Sequence, residues 1–129
     1  MFTFGADPQA VSIDLLEHIA SNRKKHLLRI CRPILNEVGR HLLPQQVSEV
    51  YSYLNALEVS VDERWSVPFE FAQRYVGKGL KSGDAFIAGY AEWIGADCLV
   101  SENRADIVSQ AELFPFKVFT AEQFLKKHH

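Results

Sequence analysis

Short apolar runs alternate with amphipathic helical segments along most of this sequence, and that alternation is its strongest constraint. Runs of a few apolar residues bounded by turn signals read as buried strands. Apolar residues three and four apart read as one face of a helix. The strand candidates are Leu27–Cys31, Glu58–Val61, Cys98–Val100 and Phe116–Phe119. Helices are expected from Pro8 or Gln9 to Ala20, from Pro33 to Leu42, from Gln45 to Leu57, from Pro68 to Val76 and from Asp84 to Ile94. Asn103–Ala111 reads as a short helix or turn. Thr120, with Gln123 three residues on, has the capping-box pattern of a helix start. Phe2–Phe4 is a short apolar piece that ends in the loop signal Gly5-Ala6-Asp7-Pro8. Strands alternating with helices indicate an α/β fold with a parallel sheet, and such folds place their sites at the carboxyl ends of the strands.

At 129 residues the chain is the size of a single domain, residues 1–129, with material for one core. Fourteen Lys and Arg against sixteen Asp and Glu exclude a generally basic coat, so any polyanion must be held by a local patch. Cys31 and Cys98 lie in apolar runs and read as buried thiols. No Cys/His cluster has zinc-ligand spacing, and no apolar run has the length of a membrane span. The N-terminus lacks the basic start and long apolar stretch of a signal peptide, so cytoplasm is the expected compartment. His128-His129 reads as a native tail or a tag remnant.

Three acids stand out by position. Glu37 lies on the helix after the strand Leu27–Cys31. Asp84 opens the helix to Ile94. Asp106 follows the strand Cys98–Val100, with Asn103 three residues before it. Carboxylates gathered at one sheet edge repel unless a divalent cation neutralises them. Mg²⁺ or Mn²⁺ takes such hard oxygen ligands, and it can hold a phosphodiester and generate a hydroxide nucleophile. Taken singly, each acid has a plainer reading: Glu37 as a solvated helix-face acid, Asp84 as a helix-start acid set against the macrodipole, Asp106 as a turn residue. Lys78, Lys81 and Arg104 stand near these positions and read either as phosphate contacts or as solvated loop charge. Tyr75, Phe86, Tyr90 and Trp93 have core spacing. Trp65, between charged residues, is the aromatic expected at the surface, where it marks a dimer or partner contact.

Gly83-Asp84-Ala85-Phe86-Ile87-Ala88-Gly89-Tyr90-Ala91, then Gly95-Ala96-Asp97-Cys98-Leu99-Val100-Ser101-Glu102-Asn103-Arg104-Ala105-Asp106, resembles the C-terminal half of a PIN domain. Phe116–Leu125 is similar to that family's closing strand and helix, and Leu35-Asn36-Glu37-Val38 to its earlier acidic position. The resemblance covers nearly the whole chain. It implies a three-layer α/β/α fold with a mostly parallel sheet, and a metal-dependent endoribonuclease of the toxin–antitoxin type. Glu37, Asp84 and Asp106 would then be the catalytic, Mg²⁺- or Mn²⁺-facing acids. Asn103 and Ser101 would be accessory polar groups, and Lys78, Lys81 and Arg104 would hold substrate phosphate. RNA, an antitoxin protein and a second copy of the chain are the implied partners.

One departure stands against this pattern. PIN domains open with a hydrophobic strand that ends in a metal-binding Asp, whereas Met1–Pro8 aligns best with the loop after it, and Asp7 reads as a turn residue. Three accounts fit: a truncated gene, a start assigned too late or a trimmed chain, or a shortened strand at Phe2–Phe4 without the Asp. Each leaves the site one carboxylate short and implies weak metal binding and impaired cleavage. The alternative is a non-catalytic PIN remnant that binds or dimerises. A small signalling domain of receiver type is a third reading; Lys117 could pose as its late lysine, but the early acidic pair is absent.

Overall fold

The structure, a computed structural model, describes residues 2–4, 18, 28–40, 42–101 and 107–128. Five short strands are present: β1 (Phe2–Phe4), β2 (Arg29–Cys31), β3 (Ser60–Asp62), β4 (Cys98–Val100) and β5 (Lys117–Phe119). The helices are α1 (Arg32–Arg40), α2 (Pro44–Ala56), α3 (Phe69–Gly77), α4 (Ser82–Trp93) and α5 (Ala121–His128). Arg64–Ser66 and Val108–Leu113 are short 3₁₀ turns. Of the expected Pro8–Ala20 helix only His18 is described, and it is helical. Arg23-Lys24-Lys25-His26, which reads as a polar turn in the sequence, lies outside the described residues.

Among the described residues all strand pairings are parallel. β4 is central in a three-stranded sheet of order β1-β4-β5, with Phe4 opposite Val100 and Val100 opposite Phe119. β2 pairs with β3, Cys31 opposite Asp62, and the two sheets meet where β1 lies beside β2. The α/β reading with parallel strands therefore holds. Phe2–Phe4, which aligns best with a loop but is also open to reading as a shortened strand, is a strand. A central β4 leaves backbone groups to be paired along both edges, and Phe-Thr-Phe fills one of them, with Thr3 fully buried.

Leu99, Val100, Ile30 and Cys31 are buried in the strands and meet Ile34 and Leu35 from α1, Val50 and Leu54 from α2 and Phe124 from α5. Ala85 and the run Ile87, Ala88, Gly89, Tyr90 and Ala91 make α4 buried on nearly every side but its ends. Its small residues admit α3: a Cβ on Gly89 would stand 2.7 Å from the Ala72 nitrogen and 2.8 Å from the Phe71 carbonyl carbon.

Local signals account for most element ends. Thr120 and Gln123 form the expected reciprocal cap, Gln123 N–H donating to Thr120 Oγ1 at 3.2 Å and Thr120 N–H to Gln123 Oε1 at 2.9 Å. Pro44 does not merely end α1; it is the first residue of α2, where its missing N–H costs nothing. Gly95, at φ +69°, follows α4 in the left-handed conformation that closes helices. Glu58, expected in a strand, also has positive φ, +52°; Val59 N–H bonds back to the Leu54 carbonyl there, so β3 starts only at Ser60.

Candidate functional site

The parallel strands set where several sequence-predicted positions stand. α1 follows β2 without a break, so it starts at the carboxyl end of that strand, and Glu37 is its sixth residue. The four-residue link Ile94–Asp97 returns the chain from α4 into β4, which sets the α4 N-terminus toward the carboxyl end of β4. Asp84, the third residue of α4, lies six residues before Tyr90, about 9 Å along the axis. Ser101 follows β4 directly, is buried, and donates its N–H to the Phe119 carbonyl at 2.8 Å. Lys78 and Lys81 occupy the α3–α4 connection, next to the start of the Asp84 helix.

These positions differ in their engagement. Glu37 is half-buried and ion-paired with Arg40 at 3.0 Å, one helical turn on. Asp84 is half-buried. The Lys78 ammonium stands 5.1 Å from the Tyr75 ring centre. Asn103, Arg104 and Asp106 lie outside the described residues. Among the described residues no group of three His, Cys, Asp or Glu side chains gathers to hold a metal ion. Glu37 and Asp84 are hard oxygen donors of the kind Mg²⁺ or Mn²⁺ takes, but two carboxylates do not make a complete centre. β1 contributes no carboxylate: its middle residue is Thr3, whose buried Oγ1 meets no hydrogen-bond partner among the described residues.

The sequence reading missed a charge cluster at the carboxyl end of β3. Asp62 accepts from Arg29 twice, Nε to Oδ2 at 3.1 Å and Nη2 to Oδ1 at 2.7 Å. The Tyr90 hydroxyl donates to the same Oδ2 at 2.6 Å. The Arg29 guanidinium also lies 5.9 Å from the Trp93 ring centre. Burial pushes the Asp62 carboxyl up, but the bonds from Arg29 and Tyr90 outweigh it, and the carboxyl ionises below its ordinary range. The hydrogen bond to Asp62 raises Arg29 against a smaller burial effect, and burial with the Asp62 bond raises the Tyr90 phenol. Both Asp62 carboxylate oxygens and the Tyr90 hydroxyl are engaged in this cluster. Its chemistry is that of a clasp between β2, β3 and α4, with Arg32–Glu63 at 3.2 Å as a second, exposed pair beside it. The signal was an acid just past an alternating apolar run, on a strand whose partner carries an Arg two residues before Cys31.

Trp65 is exposed as expected, and Tyr75 and Tyr90 are core, while Phe86 and Trp93 are half-buried. Cys31 and Cys98 are free and buried, and burial raises both thiols to about 11. No described helix is long and apolar enough to cross a membrane. No family model matches this sequence, and comparison with curated proteins and with solved structures gives no match.

Proposed function

We propose that this chain is a PIN-like domain whose metal-dependent ribonuclease chemistry is impaired. The observation that carries the reading is the placement of two helices: the one bearing Glu37 starts at the carboxyl end of β2, and the one bearing Asp84 leads back into β4 so that its N-terminus lies toward the carboxyl end of that strand. The strand order β1-β4-β5, with β2-β3 beside β1, agrees with a three-layer, mostly parallel arrangement of that family. Impairment follows from β1, Phe-Thr-Phe, which contributes no carboxylate, whereas the family's first strand supplies a metal-binding acid. Asp106, Asn103 and Arg104 belong to the reading through the sequence resemblance, and Lys78 and Lys81 through their place beside the Asp84 helix.

Calorimetric titration with Mn²⁺ and cleavage of a single-stranded RNA test this. Weak Mn²⁺ binding is expected, with slow or no cleavage, and whatever cleavage remains is lost on Asp84→Asn. Tight Mn²⁺ binding with fast, Asp84-dependent cleavage would contradict the impairment. Cleavage that persists in chelator, or that ignores both Asp84→Asn and Asp106→Asn, would sink the nuclease reading.

A second reading, a binding module that engages a partner protein such as an antitoxin or another copy of itself, is favoured by one observation. Trp65 and Phe69 are 84% and 75% exposed on one side of the fold.

A further inference from the structure

We propose that the groove between the Arg64–Ser66 turn and α3 is a binding site for a small, planar aromatic carboxylate. It uses none of the metal-facing acids and does not depend on the nuclease reading. The groove has a volume of about 460 Å³, within the range of about 300–1,000 Å³ that small-molecule pockets occupy. Arg64 and Trp65 line it from the turn, Phe69 and Val76 from α3, and Phe86 from α4. Trp65, Phe69 and Val76 are exposed, so α3 and the turn before it keep apolar side chains in water that a ligand can cover. Two exposed rings beside a half-buried third offer faces and edges to a planar ring, which a flexible apolar chain meets less well.

Arg64 supplies the charge. Each other described arginine holds a carboxylate: Arg29 holds Asp62 at 2.7 Å, Arg32 holds Glu63 at 3.2 Å, Arg40 holds Glu37 at 3.0 Å and Arg74 holds Glu92 at 3.1 Å. Among the described residues Arg64 is the arginine without an acidic partner, and its guanidinium carbon stands 5.6 Å from the Phe86 ring centre. That ring contact sets the guanidinium at the groove wall while leaving its N–H fork for a ligand. The fork matches a carboxylate, which it can hold by two parallel hydrogen bonds. Among the described residues no second charged side chain lines the groove, and this fixes the ligand's charge. One cation balances one carboxylate. A phosphate monoester, with nearly two charges, or an RNA strand, with one at every nucleotide, would leave negative charge unmatched. The Gln73 amide and the Ser82 hydroxyl also line the groove and can bond a polar ring substituent.

Titration calorimetry of the full chain with naphthoate, its uncharged amide and adenosine monophosphate is the test. Naphthoate should bind at one site with a dissociation constant of about 0.1 mM. The amide keeps the ring and lacks the charge, so it should bind about tenfold more weakly. Arg64→Gln should weaken naphthoate about tenfold and leave the amide unchanged, a split that a loosened fold does not produce. Trp65→Ala and Phe69→Ala, both at exposed positions, should weaken acid and amide alike, roughly fivefold each. Tyr51→Ala on α2, outside the groove, should change neither. No saturable binding at millimolar naphthoate would overturn the proposal. So would equal affinity for acid and amide, an Arg64→Gln variant that binds both as before or loses both, or indifference to Trp65 and Phe69. Tighter binding of adenosine monophosphate than of naphthoate would assign the groove to nucleotides instead. Naphthoate binding that weakens as protein concentration rises would assign it to a second copy of the chain. Either result overturns the proposal.

Discussion

The Tyr90 hydroxyl donates to Asp62 Oδ2 at 2.6 Å, and this one bond ties the buried helix α4 to the carboxyl end of β3. Arg29 completes the clasp from the neighbouring strand. Asp62→Asn removes the charge that both donors serve and should cost roughly 2 kcal/mol, in keeping with hydrogen bonds to charged groups. Tyr90→Phe keeps the ring in the core and should cost less. Urea unfolding of the two variants checks the order; equal midpoints would refute it.

The same clasp sets an acid limb. The folded Asp62 carboxyl ionises below its ordinary value of about 3.9, so the stability it contributes is complete above about pH 5. That stability is lost as pH falls through the ordinary carboxylate range to the lower folded value. Asp62→Asn should therefore flatten the fall in melting temperature between about pH 5 and pH 2. An unchanged acid slope would show that other carboxylates dominate.

Gly89→Ala should be among the most damaging small substitutions. The added methyl carbon meets backbone atoms of Phe71 and Ala72, which cannot rotate aside, so α3 and α4 must separate. A loss of about 3 kcal/mol is expected, at the upper end for overpacking. Gly83→Ala, where a Cβ meets nothing within 4 Å, is the control and should be neutral or stabilising in urea unfolding.

Thr120→Ala removes the oxygen that accepts from the Gln123 N–H and should cost about 1 kcal/mol. Because the cap is reciprocal, Gln123→Ala should cost a similar amount, and the double variant less than the sum. Strict additivity in thermal melts would argue against a coupled cap.

Cys31 and Cys98 should resist iodoacetamide in the native chain at pH 8 and react on unfolding. Burial raises both thiols to about 11, which leaves roughly a hundredfold less thiolate than an ordinary cysteine. Their contribution to stability is full below about pH 8 and fades as pH rises toward 11, because unfolding then releases protons more readily. Mass spectrometry after timed alkylation checks this; fast labelling of native protein would show that one thiol opens to solvent.

Local physics made much of this readable from the chain. The Thr120–Gln123 cap, the Gly95 closure, the buried Cys98–Val100 strand and the exposed Trp65 all follow from short-range patterns, and each stands as those patterns imply. Phe2–Phe4 did not, because three apolar residues become a strand only when a partner such as β4 is beside them, ninety-odd residues away. Glu58 did not either: its backbone bends because Val59 bonds back to Leu54, a turn that apolar periodicity does not encode.

The acids show the same division. Sequence pattern located Glu37 and Asp84 and the resemblance grouped them with Asp106. The fold decided where they stand: the Glu37 helix follows β2 directly, and the start of the Asp84 helix is turned toward the carboxyl end of β4. Asp62 escaped notice because an acid at a strand end looks solvated until Arg29 and Tyr90, 33 and 28 residues away, are folded against it. What the sequence by itself determined was therefore the alternation of elements, their caps and their apolar faces, all set by neighbours within a few residues. Only the tertiary structure decided that Phe2–Phe4 is a strand, that Asp62 is clasped and that α3 keeps an apolar face in water, because each depends on long-range packing that local free energies do not contain.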